Sequence, residues 1–278
     1  MSFYALFEIT DRYQILNNFY GHGGAPRLIL FTEINNSEDL KVTNRPQSKC
    51  HNCPALNQSV FCSLNDDVLH EVSEHKVSNT YKKGQTLFVQ GNHPFGLYCI
   101  TSGNIKVTKV GADGKESIVR LASKGDVLGH RSLFTKQHYM ATATALEDSN
   151  VCFIDKKFIM KLVKKEPTVA MEVIEKLSTD MGAAESKLSS LHQKNVRERL
   201  AELLLLLKES HGVKEEDGLY RINLKLTREE MATMIGTANE TLIRFISEFK
   251  NAGLIKQVAK TIYITNEEEL TNWAHLAY

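Results

Sequence analysis

Glu240 and Arg244 stand four residues apart in a helical stretch, so a carboxylate and a guanidinium share one face. A carboxylate accepts from a cytosine or adenine amino group, and a guanidinium forks onto guanine O6 and N7. The residues around them supply the geometry for such readout. Thr227 is an N-cap whose capping box Glu230 can complete. Met231, Met234 and Ile235 form one buried face, and Gly236 permits a tight turn. A second helix buries Leu242, Phe245, Ile246 and Phe249, which leaves Asn239, Glu240, Ile243 and Arg244 facing outward near its start. That is a helix-turn-helix, which reads the major groove with the first turns of its second helix. Thr227, Arg228 and Thr237 flank the turn and join the expected DNA surface. The plainer alternative is a helical hairpin carrying a surface ion pair worth a few tenths of a kcal/mol.

Thiols form the second set. Cys50, Cys53 and Cys62 lie within thirteen residues, with Cys99 and Cys152 further on. The first residues carry an acid, Glu8, and no basic segment leading an apolar one, which is not a secretory signal. A cytoplasmic protein is therefore expected, with its cysteines as reduced thiols or metal ligands. The apolar run Leu203 to Leu207 is far too short for a membrane span of about 20 residues. Net charge is +1 over 278 residues, so bulk charge does not point to nucleic acid. Residues 221–260, however, hold seven Lys/Arg against four Asp/Glu, and phosphates need only local cations. The run Glu267-Glu268-Glu269 should lie away from DNA.

Other elements must position these groups. Residues 1–49 lack sustained periodicity and are expected to be a poorly ordered extension rather than a folded one; translation starting nearer Leu40 is the alternative. Asn65 or Asp66 caps a short helix burying Val68, Leu69 and Val72. From about 77 to 155, alternating strands punctuated by glycines predict a compact antiparallel barrel, with a hairpin turn at Ala112-Asp113-Gly114-Lys115. Residues 156–208 are helical. Ile174, Met181 and Leu188 recur every seven, interleaved with Ala170, Leu177, Ala184 and Leu191. Such a stripe is either one buried face of a domain helix or a coiled-coil seam; joining a β domain to a helix-turn-helix, it favours a homodimer interface. Asn195 would continue the seam with a polar residue that sets register. Gly253 ends the second helix, and Leu254–Lys256 and Lys260–Ile264 form a wing whose Lys256 and Lys260 reach phosphate.

A glycine-rich roll, a long helix and a winged helix-turn-helix, in that order, resemble the Crp/Fnr family of bacterial transcription regulators. The carriers are Lys83–Phe88, Leu97–Val107, Gly125-Asp126-Val127-Leu128-Gly129, Asn195–Ala201 and Asn239–Arg244. The resemblance implies an α+β chain with an N-terminal cyclic-nucleotide-binding-like β-roll (jelly roll), a dimerisation helix and a C-terminal winged helix-turn-helix. Its expected divisions are 50–163, 164–195 and 196–278. It also implies a non-enzymatic homodimer that binds palindromic promoter DNA in the cytoplasm, works with RNA polymerase and answers a small signal. The family's Glu-Thr-x-x-Arg core falls on Glu240, Thr241 and Arg244, with Ile243 in place of a small or polar residue.

For the signal the resemblance leaves three readings. Cyclic-nucleotide binders hold the ribose with a glutamate and the phosphate with an arginine. The matching segment is Gly129-His130-Arg131-Ser132, with Met140 and Ala141 at the later anchor. Both polar anchors are missing, which argues against cyclic AMP. The oxygen-sensing branch implies a [4Fe–4S] cluster on Cys50, Cys53, Cys62 and Cys152, the four thiolates such a cluster requires, with Cys99 left as a strand residue. Four-thiolate zinc or plain structural cysteines are the alternatives for that set. Haem, another ligand or no ligand is the third reading.

Overall fold

The computed structural model describes residues 49–216 and 218–275. The expectation for the N-terminal extension lies outside the described residues, apart from Lys49. Helix α1 (Asp66–His75) is capped by Asn65, whose side chain accepts from the Val68 amide, and it buries Val68, Leu69 and Val72. Eight antiparallel strands follow as two four-stranded sheets. The first is ordered β1 (Lys76–Tyr81), β8 (Ser149–Asp155), β3 (Gly96–Ser102), β6 (Val127–Leu128). The second is ordered β2 (Thr86–Phe88), β7 (Thr142–Ala145), β4 (Ile105–Val110), β5 (Glu116–Ala122). The β4–β5 hairpin turns where expected, with the Lys115 amide donating to Asp113 Oδ1 at 3.1 Å.

Strand alternation builds two cores from one sheet. Ile100 and Val151 point between the sheets, with Leu87, Ile105, Val107 and Ala143. Leu97, Cys99, Cys152 and Ile154 point the other way, under α1, the cysteine turn and the helices that follow.

The helical stretch after the roll is three helices: α3 (Lys156–Lys165), α4 (Pro167–Gln193) and α5 (Val196–His211). Pro167 starts α4, since proline tolerates a first helical turn and breaks what precedes it. Asn195 is not the seam residue expected above. It is the N-cap of α5, accepting from the Arg197 and Glu198 amides while Glu198 closes a capping box. Leu177 is also corrected: it is half-buried and packs on the roll core with Val169 and Val173, not on the outward stripe. The outward stripe is Met171, Ile174, Met181, Leu188 and Leu191.

The C-terminal part holds α6 (Arg228–Ile235), α7 (Asn239–Asn251), α8 (Glu267–Ala274) and a four-stranded sheet ordered β11 (Ile255–Val258), β12 (Thr261–Ile264), β10 (Tyr220–Ile222), β9 (Gly212–Lys214). The sequence reading found β11 and β12 and missed β9 and β10, whose three residues each are too few to alternate visibly. The triple-glutamate run opens α8, where carboxylates suit the positive end of the helix dipole.

Candidate nucleic-acid interface and sensor site

The turn between α6 and α7 follows from local chemistry. Thr227 Oγ1 accepts from the Glu230 amide at 3.1 Å, and Glu230 Oε2 accepts from the Thr227 amide at 2.9 Å. Gly236 adopts φ +65°, the left-handed region that ends α6. Met231, Met234, Ile235, Leu242, Ile246 and Phe249 are buried in one core, with Phe245 half-buried against it. Burying that face turns Asn239, Glu240, Ile243 and Arg244 to solvent together. Glu240 and Arg244 make no ion pair with each other among the described residues; the Arg244 guanidinium instead lies 5.1 Å from the Phe245 ring centre.

The other expected DNA residues differ in their freedom. Thr227 is committed to its cap. Arg228 is half-buried, with Nη2 donating to Gln257 Oε1 at 2.6 Å, which ties α6 to the wing. Thr237 is half-buried in the turn, its amide donating to the Ala232 carbonyl at 3.0 Å. Lys256 and Lys260 are exposed on the β11–β12 hairpin.

At the sensor site, Gly129 takes φ +86° and leads into α2 (His130–Thr135). An added Cβ there would meet the Gly96 carbonyl at 3.0 Å. Ser132 donates to the His138 carbonyl at 3.0 Å. Arg131 and Met140 are exposed, and Ala141 is half-buried. His130 is 4% exposed and aimed at α4, with Nε2 3.3 Å from Asp180 Oδ2, close enough for attraction but not aligned as a hydrogen bond. Asp180 also meets Arg120 at 2.5 Å and Lys176 at 3.3 Å. Asp126 pairs with Arg120 at 2.7 Å and with Lys176 at 2.6 Å. Burial would raise the Asp180 carboxyl, but His130, Arg120 and Lys176 outweigh it and hold the pKa at about 2. Sequence reading missed this network, because its members come from β5, the turn before β6, α2 and α4.

The thiols divide differently from the set implied above. The Cys53 amide donates to the Cys50 carbonyl at 3.0 Å, closing a turn over the outer face of the first sheet. There Cys99 and Cys152 are direct cross-strand partners, and Cys152 Sγ lies 3.4 Å from Ser78 Oγ. Cys50, Cys99 and Cys152 are buried in one apolar cluster beside the buried Lys76. Burial pushes the Cys99 and Cys152 thiols up, with the Ser78 contact and Lys76 opposing it at Cys152. Cys62 is exposed and faces outward, with Sγ 3.8 Å from Glu172 Oε1. Among the described residues no three metal-ligating side chains are gathered at one point. The four cysteines implied by the resemblance therefore do not fit a common cluster as they stand, since Cys62 is exposed and turned to Glu172 while Cys50 and Cys152 are buried in the core and Cys53 is half-buried.

Comparison with known proteins covers both halves. Residues 78–166 match the Cyclic nucleotide-binding domain and residues 198–273 the Crp-like helix-turn-helix domain. The chain is 26% identical over 194 residues to a CRP-like cAMP-activated global transcriptional regulator of Mycobacterium tuberculosis, covering 70% of this chain and 86% of the relative. It is 29% identical over 245 residues to the fumarate and nitrate reduction regulatory protein of Yersinia pestis, covering 85% and 96%. The structure of FixK2 from Bradyrhizobium japonicum shares the fold with a TM-score of 0.64 at 22% identity, covering 73% of this chain and 99% of that one.

Proposed function

Because the chain belongs to the Crp/Fnr family of transcription regulators, we propose that it acts as a homodimer reading a palindromic promoter site with the outward face of α7. One observation carries this reading: Asn239, Glu240, Ile243 and Arg244 are presented together, exposed, on the first turns of a helix whose opposite face is locked into a core. Arg244 takes a guanine edge and Glu240 a cytosine or adenine amino group. Ile243 packs on a thymine methyl, and Asn239 lies beside an adenine. Lys256 and Lys260 hold phosphate. The stripe on α4 pairs the protomers, so two readers address two half-sites related by a two-fold axis. The protein works in the cytoplasm alongside RNA polymerase.

The roll senses something other than a cyclic nucleotide. Support comes from His130, buried against Asp180 where a ribose acceptor would stand, and from Met140 where a phosphate cation would stand. A nucleotide phosphate without a cation partner has little to hold it. A four-thiolate cofactor would require Cys62 to leave Glu172 and turn inward, and no step of this function runs through one.

Selection from random duplexes tests the DNA reading. Wild type should return a palindrome. Arg244→Ala should lose preference at one base pair in each half-site, at a cost of about 1–3 kcal/mol per half-site. The same motif, equally sharp, from Arg244→Ala would remove α7 from the groove. Calorimetric titration with cyclic AMP should show no binding in the micromolar range.

A further inference from the structure

The DNA-reading half is docked on its own sensor. Strand β5 is an edge of the second sheet, and edge strands are managed by covering them. Here Lys187 of α4 donates to the Ile118 carbonyl at 3.1 Å, and α6 packs alongside β5. Ile118 and Leu146 of the roll belong to the same buried cluster as Met231, Met234 and Ile235, with Leu121 packed against it. Two polar ties cross the same boundary. Lys106 Nζ of β4 lies 2.9 Å from Glu230 Oε1, with both side chains about four-fifths buried. His211 Nε2, at the end of α5, lies 2.8 Å from Asn104 Oδ1, just before β4. Glu230 is the residue that closes the capping box of α6. One carboxylate therefore both starts the helix-turn-helix and fastens it to the roll. Burial would raise its pKa, and the Thr227 amide and Lys106 outweigh that. From the other side, Leu191 of α4 touches the reader's turn, where a Cβ on Gly236 would come within 3.2 Å of its Cδ2.

From this geometry we infer that Lys106 is a positioning residue for DNA binding: its pair with Glu230 fixes the angle of α6 and α7 against α4. The inference rests on the dimeric DNA-reading function proposed above. The docking does not mask the reader, because the Asn239, Glu240, Ile243 and Arg244 face stays exposed. A two-fold dimer must present two recognition helices at one fixed spacing, about 34–36 Å for half-sites one turn apart. A reader free to swing would have to be ordered at the moment of binding, and pre-ordering removes that cost. The pair should therefore matter for correctly spaced palindromes and not for an isolated half-site. It also gives the second sheet, which runs past the sensor site, a direct hold on the reader.

The experiment measures affinity for a palindrome, for the same palindrome with altered spacing, and for a single half-site. It compares wild type, Lys106→Met and Lys106→Arg. Methionine keeps the packing and removes the charge, whereas arginine can still pair with Glu230. We expect Lys106→Met to lose roughly tenfold on the correctly spaced palindrome, keep half-site affinity, and discriminate less between spacings. Lys106→Arg should behave as wild type. An unchanged palindrome-to-half-site ratio in Lys106→Met would overturn the inference, as would tighter binding by that variant, which would make the contact inhibitory. If wild type binds neither palindrome nor half-site, the DNA-reading function itself has failed, an outcome separable from both.

Discussion

At the level of single residues, burial and partner choice decide what each functional group can do. Cys62 is exposed, whereas Cys99 and Cys152 are buried with their thiols pushed up. Alkylating reagents attack accessible thiolates, so burial and raised pKa both protect Cys99 and Cys152, whereas Cys62 is open to the reagent. Brief iodoacetamide treatment with peptide mapping should label Cys62 first, and Cys99 and Cys152 only after unfolding. Equal early labelling of Cys152 would mean that the outer face of the first sheet is open. Spacing along the chain grouped Cys62 with Cys50 and Cys53, and the resemblance left Cys99 as a strand residue. Cys99 is that buried strand residue, on β3 opposite Cys152, whereas Cys62 is exposed and turned toward Glu172. The second residue-level prediction concerns Asp180. Its folded pKa of about 2 lies below the ordinary carboxylate value, so its contribution is present above about pH 4. That contribution is lost as pH falls through about 2. Asp180→Asn should lower stability at neutral pH by on the order of 1–2 kcal/mol. It should also flatten the dependence of the urea midpoint on pH between about 4 and 2. A variant whose acid limb matches wild type would show that Asp180 is not held down by His130, Arg120 and Lys176.

At the level of elements, what was legible in sequence was what neighbouring residues decide among themselves. The capping box of Thr227 and Glu230, the left-handed Gly236 and the turn at Gly114 are closed within a few residues, and all stand where expected. Asn195 shows the limit of pattern. Its place in a seven-residue series suggested a seam, but an Asn three residues before Glu198 is also a capping box, and the local bonds won. Leu177 shows another limit, since a repeat does not say which side of a helix its own domain covers. The wing gives a prediction at this scale. Gln257 bonds Arg228 at one side and donates to the Ala259 carbonyl at 2.6 Å at the other, which holds the hairpin against α6 and leaves Lys256 and Lys260 exposed. Lys256→Ala or Lys260→Ala should weaken all duplexes alike and lower the slope of log affinity against log salt by about one. A change in the selected motif would instead place that lysine on a base.

At the level of the whole molecule, one face is left uncovered among the described residues, apart from Leu191 at its end, which meets the turn at Gly236. Met181 is 62% exposed, Leu188 56% and Ile174 53%, in line along α4, with Met171 and Leu191 extending the row. Exposed apolar rows of this length mark interaction surfaces. Their spacing of seven suits a second copy of the same helix lying alongside. Two-fold pairing along α4 would set the readers on either side of one axis, the symmetry that a palindrome mirrors. Because Leu188 is largely exposed in the protomer, Leu188→Asp removes little of its core, and the variant should fold with an unchanged circular dichroism spectrum and melting curve at high dilution. In the dimer the same carboxylate would be buried without a counter-charge, which is costly. Sedimentation at micromolar concentration should therefore show wild type as a dimer and Leu188→Asp as a monomer. The monomer should keep weak half-site binding and lose the extra affinity for the palindrome, since joining two readers makes the second contact intramolecular. A wild-type protein that sediments as a monomer, alone and with DNA, would leave the stripe on α4 to a different partner and take the two-fold axis out of the mechanism.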